Sequence, residues 1–367
     1  MVASEAGLPA GVNAFLDDYN FPPLDGKWQM DRLVTPWARS WTALRLRRPG
    51  EALTLVLRNG SPDIGLIPLR HEGVIVPNLE QDPHNIAIFN SLAATVTPSQ
   101  WAQSDWDDWT RCYFALTGND PNQNALMPWR LEFSTAGEIL RIRGADRGTK
   151  KPVGLWLTLS PIPRMSMWGR AEASEMSALN AKALELNLLM DHYDYGFHHW
   201  LVHTLRTPLL RRHEAFELLW TDPNRAESEL VAIVPADNST ALALIPLAYN
   251  FESIEGQPLD LHNIAIFNRT MRGESGPPPA DANAWLNWAQ LYLQLCGEQP
   301  RVITESKHSI APKSSLPSVV AGTNTVSVEF DDFEGDGKFE HWQFEFAPSG
   351  HLQSVHATLR PCSGNCH

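Results

Sequence analysis

The sequence predicts an α+β fold made of two tandem copies of one domain. Each copy has a mostly antiparallel sheet, a meander plus a C-terminal hairpin, with helices inserted between strands. Three observations carry this prediction. The heptapeptide His84-Asn85-Ile86-Ala87-Ile88-Phe89-Asn90 returns letter for letter as His262-Asn263-Ile264-Ala265-Ile266-Phe267-Asn268, 178 positions later. The residues flanking it keep their order in both places. Short apolar runs bounded by Pro, Gly and Asn alternate with aromatic residues at helical spacing.

The repeat opens at residues 12–21, which match 186–195 in type at most positions. Trp28, Thr35, Pro36 and Arg39 then align with Trp200, Thr207, Pro208 and Arg211 at a constant offset of 172. Six additional residues in the second copy bring the offset to 178, so Leu66-Ile67-Pro68-Leu69 meets Leu244-Ile245-Pro246-Leu247 and Asp82 meets Asp260. After the heptapeptide, Trp106, Trp109, Tyr113, Leu116 and Gly118 correspond to Trp285, Trp288, Tyr292, Leu295 and Gly297. Trp129, Glu132, Phe133, Gly137 and Ile139 correspond to Trp342, Glu345, Phe346, Gly350 and Leu352. A period this long marks duplicated domains, since solenoid units run only ~20–50 residues. Copy one is placed at 1–165, a linker and the start of an interdomain helix at 166–185, and copy two at 186–367.

The meander is predicted at 41–48, 52–58 and 64–70, and again at 215–221, 230–235 and 241–247. Pro68 and Pro246 place the third strand of each at an edge or a bulge, because proline cannot donate to the ladder. Trp106, Trp109, Tyr113 and Leu116 recur at helical spacing, and Gly118 supplies a stop. Residues 129–133 and 139–143 read as a hairpin turned at Gly137, followed by a strand at 155–159. The second copy offers 327–330, 341–346 and 352–359. Residues 171–190 are rich in Ala, Leu, Glu and Met without Gly or Pro, and read as a helix.

Within the heptapeptide, Asp82 and Asp260 are placed to accept backbone N–H groups at a helix start, and Pro83 fits the first turn. Ile86, Phe89 and Ala93, with Ile264, Phe267 and Met271, form a buried stripe at i, i+3, i+7. His84, Asn85, Asn90, His262, Asn263 and Asn268 are the principal binding candidates. A capping and packing role for them is favoured over catalysis, because no adjacent nucleophile or second acid accompanies either histidine. No P-loop, dinucleotide fingerprint or G-x-S-x-G elbow is present.

Secondary candidates are weaker. His199 and His203 have the spacing of two ligands on one helix face, without a glutamate base beside them. Asp332, Glu334 and Asp336 fall at calcium-loop spacing, but the twelfth position is Gln343, and a glycine-rich hairpin tip is the better reading. Cys362, Cys366 and His367 read as a frayed tail. No metal and no cofactor are therefore assigned. Of fourteen tryptophans, eight recur in both copies as core. Trp37, Trp41 and Trp101 do not, which leaves them as candidates for a surface specific to copy one.

The chain has 367 residues and a net charge of −13, which argues against a nucleic-acid partner. No stretch reaches the ~20 apolar residues of a membrane span, and the N-terminus lacks a secretory pattern, so a cytoplasmic location is expected. Four cysteines in such a chain read as reduced thiols. The functional expectation is a protein-binding or interaction protein, of the kind that masks a basic toxin or enzyme as an inhibitor or antidote. Two alternatives are a hydrolase or transferase acting on a small anionic substrate at the His-Asn pairs, and a carbohydrate-binding protein using exposed tryptophans.

Overall fold

A computed structural model describes residues 11–33, 40–59, 64–93, 95–96, 98, 101–119, 129–144, 156–160, 193, 200–222, 225–236, 243–249, 252–254, 256–274, 281–298, 317–335 and 338–361. The chain divides into two compact units. Unit 1 comprises Met1–Asp17, Phe21–Trp168 and Leu186–His198, and unit 2 comprises Asp18–Asn20, Gly169–Glu185 and His199–His367. The fold is α+β, and its sheets are mostly antiparallel.

Helix α1 (Val12–Asp18), in unit 1 up to Asp17, precedes a five-stranded antiparallel sheet of β1 (Gln29–Arg32), β2 (Trp41–Arg48), β3 (Glu51–Arg58), β4 (Ile64–His71) and β5 (Val74–Ile75), in that spatial order. The three central strands are those of the predicted meander. Both faces hold fully enclosed residues: Leu46, Leu53, Leu55 and Leu66 on one, Val56 and Ile67 on the other. Pro68 pairs with Leu53 beside a register shift between Ala52 and Leu53, so it sits at a bulge as expected. Helix α2 (Pro83–Ala93) crosses β4 at Gly65, where any Cβ would lie 2.9 Å from Ile88 Cγ2. The missing side chain lets helix and strand approach.

Helix α3 (Gln103–Leu116) buries Trp106, Trp109, Tyr113 and Leu116, the stripe read from sequence. Trp106 packs on Phe133 with ring centroids 5.6 Å apart, and Trp109 Nε1 donates to Gly137 O at 2.7 Å. These contacts join α3 to the hairpin of β6 (Trp129–Ser134) and β7 (Ile139–Gly144), which turns at Gly137 with φ 88°. Strand β8 (Trp156–Ser160) pairs with β6 in parallel, giving the order β7-β6-β8. The predicted strand at 155–159 is therefore present, but it joins the far side of β6 instead of continuing the hairpin. The end of α3 rests on the first sheet: Arg45 Nη2 donates to Ala115 O, and Thr54 Oγ1 donates to Leu116 O at 2.8 Å. Burial lowers the Arg45 pKa to about 10.

Unit 2 also runs from a sheet through two helices to a closing sheet. Strands β9 (Trp200–Leu205), β10 (His213–Asp222), β11 (Arg225–Pro235) and β12 (Ala243–Pro246) form an antiparallel sheet in the order β12-β11-β10-β9. Pro246 lies on the edge strand, where no donor is required of it. A two-residue ladder of β13 (Ala248–Tyr249) and β14 (Glu252–Ser253) follows, then helices α4 (Leu261–Gly273) and α5 (Ala282–Leu295). The unit closes with an antiparallel sheet of β15 (Ser318–Ala321), β16 (Val326–Gly335), β17 (Lys338–Phe346) and β18 (Leu352–Pro361). One apolar cluster runs from Ala215, Val231 and Ile245 through Ile264, Phe267, Trp288 and Tyr292 to Val328, Phe344 and Phe346. Both helices thus share a core with both large sheets.

Two of the secondary sequence candidates fall on strands here. His203 is not on a helix: it lies exposed on β9, where alternation and the branched side chains of Val202 and Thr204 favour a strand. His203 thus stands on a strand and not on the helix face that its spacing from His199 suggested. The segment carrying Asp332 and Glu334 belongs to strand β16, and Gly335 pairs with Lys338 across a two-residue connection. This is the hairpin tip that was preferred over a calcium loop. His199, Asp336, Trp37 and the helix at 171–190 lie outside the described residues, as do Cys362, Cys366 and His367.

Candidate functional site

The two heptapeptides begin helices α2 and α4, so their polar side chains gather at matching helix starts. Asp82 Oδ1 accepts from His84 N at 2.9 Å, and Asp260 Oδ1 accepts from His262 N at 2.8 Å. These are the aspartate caps expected from sequence, and they satisfy backbone donors that the helix itself leaves unpaired. The next residue closes the preceding turn. Asn85 Nδ2 donates to Leu79 O at 3.0 Å, while Asn263 Nδ2 donates to Gln257 O at 2.9 Å.

Asn90 and Asn268 reach forward to the closing sheets. Asn90 Nδ2 donates to Ile139 O at 3.1 Å, and its Oδ1 accepts from Ile139 N at 2.7 Å. Asn268 makes the same pair of bonds with Leu352, at 3.0 and 2.8 Å. A primary amide has one donor edge and one acceptor edge, so it can replace the missing strand neighbour of a single residue. That requirement explains why asparagine, and not another polar residue, occupies both positions.

The histidines meet tyrosines that sequence reading had aligned with each other but had not placed. In unit 1, His84 Nδ1 lies 2.7 Å from Tyr193 Oη. In unit 2, His262 Nδ1 lies 2.8 Å from Tyr19 Oη. The rings meet edge to face in both, with centroids 5.5 and 5.4 Å apart. The tyrosines are exchanged: Tyr19, early in the chain, serves the later heptapeptide, and Tyr193 serves the earlier one. The signal available in sequence was the Tyr19–Tyr193 correspondence; the direction of pairing was not in it.

All six candidate polar residues are enclosed. His84 is 4% exposed, His262 2%, Asn268 3%, and Asn85, Asn90 and Asn263 are at zero. Burial pushes the His262 imidazole below its ordinary range; Asp260 opposes this and Arg269 adds to it. A neutral ring pairs with the phenol in either hydrogen-bonding sense, depending on its tautomer. Nearby, Asp18 accepts from Arg269 Nε at 3.3 Å and from Arg272, yet burial raises its pKa against both guanidiniums.

The tryptophan candidates are largely packed. Trp41 is 7% exposed on β2, and Trp101 is half-buried against Trp106 and Trp109, with centroids 4.9 and 5.5 Å away. A further polar cluster, unremarked in the sequence, lies on β16 and β17 of unit 2. There His341 Nδ1 stands 2.6 Å from Asp331 Oδ1, and both side chains are buried. No known protein family, curated protein or solved structure matches this chain.

Proposed function

We propose that the protein is a cytoplasmic interaction protein, two copies of one α+β domain whose acidic surface engages a basic protein partner, in the manner of an inhibitor or antidote that masks it. The observation that carries this reading is the complete internal use of the repeated heptapeptide. Its six polar side chains make the same buried hydrogen bonds in both units. A general acid or base must reach a substrate, and groups this enclosed and already paired are suited to holding helices, turns and sheets together.

Binding then falls to the surface, whose chemistry is set by the net charge of −13. Such a field speeds encounter with a basic partner and repels nucleic acid. Exposed carboxylates include Asp31, Asp108 and Glu345. Cys112 and Cys296 are buried and free, and burial pushes the Cys112 thiol up to about 12. Inert thiols of this kind fit a reducing compartment.

The test is capture from a lysate of the native host, eluted with a salt gradient and identified by mass spectrometry. A partner of basic isoelectric point, retained at low salt and released as ionic strength rises, is expected. Recovery of nothing above background, or only of salt-insensitive acidic proteins, would overturn the proposal.

A further inference from the structure

The sheet β15-β16-β17-β18 has two faces. Val328, Phe330, Trp342 and Phe344 point into the core of unit 2. The opposite face carries Glu329 and Asp331 on β16, directly across from Gln343 and His341 on β17. These four form a rectangle in which neighbours and diagonals are within reach of one another.

Each potential donor in the rectangle is oriented by a second residue. Asp331 Oδ1 lies 2.6 Å from His341 Nδ1, which fixes the ring and leaves Nε2 as the free nitrogen. Gln343 Nε2 donates to Glu329 Oε1 at 3.2 Å, which leaves Oε2 as the free oxygen. The two free atoms face each other along the diagonal at 3.9 Å, too far for a hydrogen bond. His341 Nε2 is shielded from solvent and has no hydrogen-bond partner among the described residues, although its side chain is only 7% exposed. A buried imidazole nitrogen without a partner is costly to the fold unless a ligand satisfies it. Glu329 is 43% exposed and connects this nitrogen with solvent.

We propose that Glu329 Oε2 and His341 Nε2 are ligands of a divalent transition-metal ion of the zinc class, with Asp331 and Gln343 as positioning residues. Zinc binds nitrogen and carboxylate oxygen at about 2.0–2.2 Å, so a separation near 3.9 Å admits an ion between the two atoms with a small closing movement. The carboxylate on Nδ1 holds the ring's tautomer and orientation, the usual support of a metal-bound histidine. Imidazole with one carboxylate selects zinc-like ions over calcium or magnesium. Water completes the coordination, which makes the site open. His341 corresponds by the repeat to Pro128, so the site belongs to unit 2.

The probe is Zn²⁺ alone, titrated calorimetrically into the full chain carrying Cys362→Ser and Cys366→Ser, which removes competing thiols. Glu329→Gln and Asp331→Asn are each expected to weaken one zinc-binding event by roughly 10–100-fold, and His341→Gln to abolish it. Glu329 is surface-accessible, so its amide variant retains the metal-free Tm and decides the matter even if His341→Gln does not fold. Unchanged affinity and stoichiometry in Glu329→Gln and Asp331→Asn, or no zinc binding by the parent, would overturn the assignment.

Discussion

Asn90 in unit 1 and Asn268 in unit 2 hold their strand partners with bonds that differ by only a tenth of an ångström, yet the sheets they hold are unlike. Unit 1 closes with β7-β6-β8, in which β6 has one antiparallel and one parallel neighbour. Unit 2 closes with four antiparallel strands and carries the Asp331–His341 pair, at positions where unit 1 has no matching histidine. What is shared is therefore the set of buried polar obligations around the second helix layer. What differs is the closing sheet. A property belonging to one unit alone is to be sought in its closing sheet.

This comparison breaks if the two asparagines are not equivalent. Asn90→Ala and Asn268→Ala each orphan a buried N–H and a buried C=O, and each should lower unfolding stability by about 2–4 kcal/mol. Urea denaturation monitored by tryptophan fluorescence would measure both losses. A loss under 1 kcal/mol at either site would show that the amide bridge is incidental there.

A finer comparison is available where α3 and α5 end. Asn119 N bonds Phe114 O at 2.9 Å, and Glu298 N bonds Leu293 O at 2.9 Å, around glycines with φ of 91° and 83°. A Cβ on Gly118 would meet Leu69 at 3.1 Å, and one on Gly297 would meet Leu247 at 2.8 Å. Alanine at either position costs about 1–2 kcal/mol for the left-handed backbone alone. Gly297→Ala should be the worse of the two, because both methyl groups of Leu247 lie within 2.9 Å of the added Cβ, whereas the nearer methyl of Leu69 lies 3.1 Å from that on Gly118. Equal melting temperatures for the two variants would contradict that ranking.

The smallest expected effect concerns the exchanged tyrosines. Tyr19→Phe and Tyr193→Phe remove one hydroxyl each and should cost about 1 kcal/mol apiece. Combining Tyr19→Phe with His262→Ala should be less than additive, and combining it with His84→Ala should be additive. The opposite pattern in these double-mutant cycles would mean that each tyrosine serves the heptapeptide nearer to it in sequence.

Local periodicity made much of this architecture readable. Asp82, Pro83 and the stripe Ile86–Phe89–Ala93 specify a helix within one stretch, and it runs from Pro83 to Ala93. Trp106, Trp109 and Tyr113 do the same for α3. The third-strand prolines announced an edge and a bulge because a missing N–H is a property of one residue. The unread features involve partners far along the chain. Nothing near Asn90 says that Ile139 needs its amide, and nothing near Asp331 says that His341 lies across the ladder. A spacing of four fits both a helix face and a strand face, so the sequence around His203 did not by itself place it on β9.

Tyr19 and His262 are separated by 243 residues, and His84 and Tyr193 by 109. On a ribosome adding ~5–20 residues per second, the His84 heptapeptide waits on the order of 5–20 s for its tyrosine to be made. Unit 1 therefore remains unfinished while much of the remaining chain is synthesised, and Tyr19 emerges long before anything exists for it to join. Contacts of such long sequence separation slow folding, since the loops they close must be ordered first. The nascent chain is accordingly exposed to misassociation over that interval, and a truncated product ending before Tyr193 would present an open helix end where the phenol should be.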